Sequence, residues 1–108
     1  AAWGGISGCQ TLLPALLGLD GLDLPAVARL TATAPAARFR LPGKGRIEPG
    51  ADADLALVDL AAEWTLAAGD LRCRHRHSPW VGRAFRGRVV RTILRGGATR
   101  GRLVRPAA

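Results

Sequence analysis

Five chain breakers crowd one short stretch: Pro42, Gly43, Gly45, Pro49 and Gly50. Proline lacks an N–H and glycine costs backbone entropy, so neither a helix nor a central strand can run through such a stretch. The chain of 108 residues must therefore change its local structure there. Before the break, Gln10-Thr11-Leu12-Leu13-Pro14-Ala15-Leu16-Leu17 reads as a helix, with Ser7 as a candidate N-cap and Gly18 as a stop. Pro14 suits it only in the first turn or at a kink. Asp23-Leu24-Pro25 predicts a second helix start, with Leu24, Val27, Ala28, Leu30 and Thr31 at helical spacing. Pro35 predicts a separate short helix through Phe39, ended by Leu41-Pro42-Gly43.

After the break the rhythm suits strands and turns. Leu55–Val58 has the pattern of a buried strand, and Trp64-Thr65-Leu66 reads as another short extended piece. Residues 70–82 read as irregular, Val89–Leu94 as the longest strand, and the tail from Ala98 as loose. Helices followed by strands suggest α+β, or the junction of two layers in a larger protein.

Composition narrows the possible functions. Apolar residues make up 48% of the chain, which argues against disorder throughout. No apolar run reaches the roughly 20 residues of a membrane span, and no basic-then-apolar signal segment opens the chain. The absence of Met, and a start straight into a glycine-dense loop, read as a cut through a longer protein. Cys9 and Cys73 match neither a C-x-x-C pair nor a zinc knuckle, so reduced cytosolic thiols are expected.

The net charge of +8 raises the question of nucleic acid. Residues 1–54 balance at five basic and five acidic side chains, while residues 55–108 carry eleven basic against three acidic. All the basic residues except Lys44 are Arg, and no nucleic-acid motif accompanies them. A basic module built on residues 72–105 is the rival reading, and binding of nucleic acid is not expected.

The residues that could carry chemistry fall into three groups. His75-Arg76-His77 could place two imidazoles on one side of a strand, as metal sites require. The chain holds no further His, and Arg72, Arg74 and Arg76 would repel a cation, so a basic loop is the favoured reading. Asp52 and Asp54 suit a turn leading into a strand better than a catalytic pair. The loop from Gly4 to Gly8 has few bulky side chains, so its backbone could approach a ligand closely. From the residues alone a tight turn stands ahead of a binding loop there. Trp3, Trp64 and Trp80 are scattered and suit packing.

Three segments in order carry a resemblance. They are Trp3-Gly4-Gly5-Ile6-Ser7-Gly8, then Pro35-Ala36-Ala37-Arg38-Phe39, then Gly43-Lys44-Gly45-Arg46-Ile47-Glu48-Pro49-Gly50-Ala51-Asp52-Ala53-Asp54-Leu55. Together they resemble the closing stretch of cyclic amidohydrolases, the superfamily of dihydroorotases and hydantoinases. The opening segment and Arg74-His75-Arg76-His77-Ser78-Pro79-Trp80-Val81-Gly82-Arg83 resemble the allantoinases in particular. One departure is Ala34, where the family often has Asn.

The resemblance implies an α/β fold class: the C-terminal part of a (β/α)8 barrel plus strands of an appended small β-sandwich. Residues 1–41 would end the barrel, residues 42–97 would return to the sandwich, and residues 98–108 would form a loose tail. It implies hydrolysis of a small cyclic amide, allantoin to allantoate, with a dihydroorotase or hydantoinase-type activity as the alternative, by a cytoplasmic homotetramer with no nucleic-acid or membrane partner. The implied cofactor is a pair of divalent metals, commonly zinc, sharing a carboxylated lysine. Their ligands would be an early H-x-H pair, two later His and an Asp, none of which can be placed in this chain. His75 and His77 lie in the wrong segment, and the chain alone is expected to bind no metal and to be inactive. What carries over is a substrate-lining loop at Gly4, Gly5, Ile6, Ser7 and Gly8.

Overall fold

The computed structural model describes residues 7–97. The expectations for Trp3, Gly4, Gly5 and Ile6, and for the tail from Ala98, lie outside those residues.

Helix α1 spans Leu12–Leu17. Pro14 falls in its first turn, where an N–H would have no intrahelical partner, and it is buried. Ser7 is not the cap. The Gly8 carbonyl accepts from the N–H groups of Thr11 at 3.0 Å and Leu12 at 2.9 Å, so the turn that starts α1 closes one residue beyond Ser7. Gly18 ends the helix, as expected.

Helix α2, Leu24–Ala28, starts as its sequence predicts: Asp23 Oδ1 accepts from the Ala26 N–H at 2.8 Å, with Pro25 in the first turn. The expected separate helix at Pro35 is not separate. The chain continues without a break through a π-helical turn at Arg29–Thr33 into α3, Ala34–Arg38. A wider turn just before Pro35 accommodates a residue with no N–H to give. The end is a Schellman motif: Leu41 N–H reaches the Ala36 carbonyl at 2.9 Å and Arg40 N–H reaches Ala37, with Arg40 at φ 49°. Of the predicted apolar stripe only Val27 is buried, while Leu24 and Leu30 are about half exposed.

Two strands pair antiparallel, β1 Leu55–Thr65 with β2 Ala84–Ile93. The sequence divides β1 into two pieces, and the structure joins them through a bulge. Pairing runs Asp59 with Arg88 and resumes at Glu63 with Arg86, so three β1 residues oppose Gly87 alone. Asp59 Oδ1 takes the N–H groups of Ala61 at 2.9 Å and Ala62 at 3.2 Å, which the ladder leaves unpaired. The longest strand is therefore β1, not the segment around Val89. Nor is Leu55–Val58 a buried strand. Ala56 and Leu57 are exposed, because among the described residues the sheet has only two strands to cover its faces.

The core gathers where the ribbon meets α1. Leu66, Leu71 and Phe85 are buried, with Ala15, Trp64, Cys73 and Trp80 packed around them. Trp64 stacks on Phe85 at 5.2 Å between ring centroids, and Trp80 tilts against it at 5.9 Å. Both indoles thus serve packing, as their spacing in the sequence suggested. Among the described residues no helix is long and apolar enough to cross a membrane.

Candidate functional site

Ser7 and Gly8, the described part of the predicted substrate loop, are held from both sides. The Gly8 carbonyl is taken by the first turn of α1 and by Thr11 Oγ1 at 3.2 Å. The Ser7 carbonyl accepts a hydrogen bond from Ser78 Oγ at 3.0 Å, across 71 positions of sequence. Ser78 is buried, and its Oγ also accepts from the Trp80 N–H at 3.3 Å. The two segments that carry the narrower resemblance therefore meet in space. Gln10 adds a second tie: its side-chain amide donates to the Asp70 carbonyl at 2.8 Å and accepts from the Arg72 N–H at 3.0 Å. A shallow depression lies beside this junction, lined by Gly8, Cys9, Thr11, Leu12, Ala15 and Trp80.

Neither Ser78 nor Gln10 stands out as a site residue in the sequence. The available signal was local: a Ser two residues before a Trp, with Pro between, suits a hydroxyl that folds back onto the main chain.

Asp52 and Asp54 converge on Lys44. Lys44 Nζ lies 2.9 Å from Asp52 Oδ2 and also pairs with Asp54 Oδ2. Asp54 Oδ1 accepts from the Arg95 N–H at 2.7 Å, and the Asp52 N–H reaches the Gly43 carbonyl at 2.9 Å. The hydrogen bond from Lys44 holds both carboxyls below their ordinary range, helped at Asp54 by the Arg95 amide. The same bonds, from Asp54 first and then Asp52, raise Lys44. A general acid or base works best with a pKa near the working pH, and these shifts run the other way. The cluster closes the turn and pins it to the end of β2, which agrees with the turn-and-strand reading of the two aspartates.

His75 and His77 sit in an exposed loop with Arg72, Arg74 and Arg76. Its turn is built on the His75 carbonyl, which accepts from the His77 N–H and lies 3.4 Å from Cys73 Sγ. Among the described residues no group of three or more His, Cys, Asp or Glu side chains could hold a metal ion. The described residues thus do not fit the implied metal pair. Cys9 and Cys73 are both free thiols.

Comparison with known proteins adds to this geometry. The Amidohydrolase family matches residues 10–99. An allantoinase of Rubrobacter xylanophilus is 62% identical over 99 residues, covering 88% of this chain and 22% of the relative. An allantoinase of Deinococcus radiodurans is 46% identical over 118 residues, covering 96% of this chain and 26% of the relative. Among solved structures, the L-hydantoinase (dihydropyrimidinase) from Arthrobacter aurescens superposes with a TM-score of 0.80 at 34% identity. The match covers 88% of this chain and 22% of that one. The chain thus spans about a quarter or less of the length of these relatives.

Proposed function

Because the chain belongs to the amidohydrolase family, we propose that it is part of a metal-dependent cyclic amidohydrolase that opens the allantoin ring to allantoate. The observation that carries allantoin is the higher identity to the allantoinases than to the L-hydantoinase. Residues 1–41 then belong to the end of a (β/α)8 barrel and residues 42–97 to a small β-sandwich. The change from helix to turns and ribbon after Arg38 supports that division. The whole enzyme is a cytoplasmic homotetramer in this reading.

This segment's own contribution is binding rather than metal chemistry. Gly4, Gly5, Ile6, Ser7 and Gly8 line the substrate pocket, and the anchoring of Ser7 and Gly8 supports a fixed backbone there. Since the described residues do not fit a metal, the zinc pair and carboxylated lysine are held elsewhere in the protein, and no chemical step is assigned to this segment. A backbone held in place needs little reorganisation when a rigid ring binds.

The test is to assay the complete protein that carries this chain on allantoin, dihydroorotate and hydantoin side by side. Allantoin should give the highest kcat/KM. A preference for dihydroorotate or hydantoin would replace the substrate, and the likeness to the L-hydantoinase makes hydantoin the second reading.

A further inference from the structure

Ser78 is only 7% exposed, yet it lies in an irregular stretch outside both strands. A hydroxyl offers one donor and two acceptor positions. Here both kinds are used, donating to the Ser7 carbonyl at 3.0 Å and accepting from the Trp80 N–H at 3.3 Å. Ser7 adjoins Gly8, and Gly8 and Trp80 line the same depression. One buried hydroxyl therefore fixes two walls of that depression relative to each other. Pro79, between Ser78 and Trp80, has its φ set by its ring, so the step from hydroxyl to indole has little freedom.

We propose that Ser78 is a positioning residue for substrate binding, setting the spacing between the Ser7–Gly8 backbone and the Trp80 indole for a small, flat cyclic amide. The inference rests on the reading that Ser7 and Gly8 line the substrate pocket. A ring bound between a backbone edge and an aromatic wall gains from both only when their spacing is held. Ser78 touches no reacting atom, so its loss weakens the grip on the ring more than the chemistry.

Steady-state kinetics on the complete protein tests this. Ser78→Ala should raise KM about tenfold and change kcat less than about threefold, the pattern of lost ground-state binding. Ser78→Thr, which keeps the hydroxyl, should return KM to within about twofold of wild type. Ser78→Cys is close in size with a weaker donor and should fall between. It keeps the series readable if either of the others fails to fold. An unchanged KM in the Ala or Cys variant overturns the proposal, as does an equal rise in the Ala and Thr variants or a fall in kcat alone. The wild type is assayed first on the three rings. A preference for hydantoin or dihydroorotate overturns only the allantoin reading, and the Ser78 series is then measured on the preferred ring. A wild type active on none of them overturns both.

Discussion

Lys44 Nζ stands 2.9 Å from Asp52 Oδ2, with its side chain only 15% exposed, and the same ammonium also pairs with Asp54. One cation thus holds the two aspartates at the start of β1 to the turn that follows the helices. The pairing has a signature in pH. Hydrogen bonding to Lys44 lowers Asp52 and Asp54 from 3.8, and hydrogen bonding to Asp54 and Asp52 raises Lys44 from 10.5. An acid lowered in the folded state stabilises it above the ordinary value, and that contribution is lost as pH falls through the lowered one. A base raised in the folded state stabilises it below its ordinary value, and that is lost as pH rises through the raised one. Calorimetry of Lys44→Met against pH should show a lower Tm than wild type across the middle of the range. The gap should narrow at both the acid and the alkaline end. A gap independent of pH would assign the effect to packing of the Lys44 stem instead.

Much of the fold was legible in the sequence where it depends on neighbours. The Asp23 cap, the Gly18 stop, the Pro14 placement and the irregular stretch at 70–82 all follow from a few adjacent residues. Contacts between distant parts of the chain were not legible. Nothing near Asp59 announces that its carboxylate would carry two amides through a bulge and join two apparent strands into one. Nothing near Ser78 points to Ser7, and the run from Lys44 to Asp54 (K-G-x-I-x-x-G-x-D-A-D) resembled a family's pattern without showing that Lys44 and its two aspartates meet. Pro35 misled for a physical reason: proline disfavours a helix interior, and a π turn just before it let the helix continue.

Gly45 in that pattern is required twice over. Its φ is +79°, and a Cβ there would stand 2.5 Å from Ala36 Cβ and 2.8 Å from the Ala32 carbonyl oxygen. The close approach lets Thr33 Oγ1 reach the Gly45 carbonyl at 2.8 Å. Gly50, at φ +90°, has nothing within 4 Å of the same position. Gly50→Ala should therefore cost only the left-handed backbone penalty, about 1–2 kcal/mol. Gly45→Ala adds overpacking of about 1–3 kcal/mol to that. Denaturant titration of the two variants measures the difference, and equal losses would show that the loop can move off α3.

Leu66 is fully buried beside Leu71 and Phe85, whereas Leu57 on β1 is 45% exposed. Leu66→Ala should leave a cavity in the centre of the core and cost about 2–5 kcal/mol. Leu57→Ala should cost less than about 1.5 kcal/mol, since much of that side chain already meets solvent. Thermal or denaturant unfolding of the complete protein compares them. A loss at Leu57 as large as at Leu66 would mean that the outer face of the ribbon is covered in the whole molecule.

His75 and His77 are the residues a motif search would first assign to a metal, and their surroundings argue against it. A catalytic zinc takes about three protein ligands and an open position. Cys73 is the one further soft ligand in this loop, and its thiol faces the His75 carbonyl at 3.4 Å while its side chain packs against the core. Arg72, Arg74 and Arg76 add positive charge within the same few residues, which opposes a divalent cation through space. The double variant His75→Ala with His77→Ala, made in the complete protein and dialysed, should therefore keep its wild-type metal content, measured by elemental analysis. In the proposed reading neither imidazole contacts the ring, so kcat on allantoin should remain within about threefold of wild type. Loss of one metal ion per chain in the double variant would place a real ligand pair in this loop.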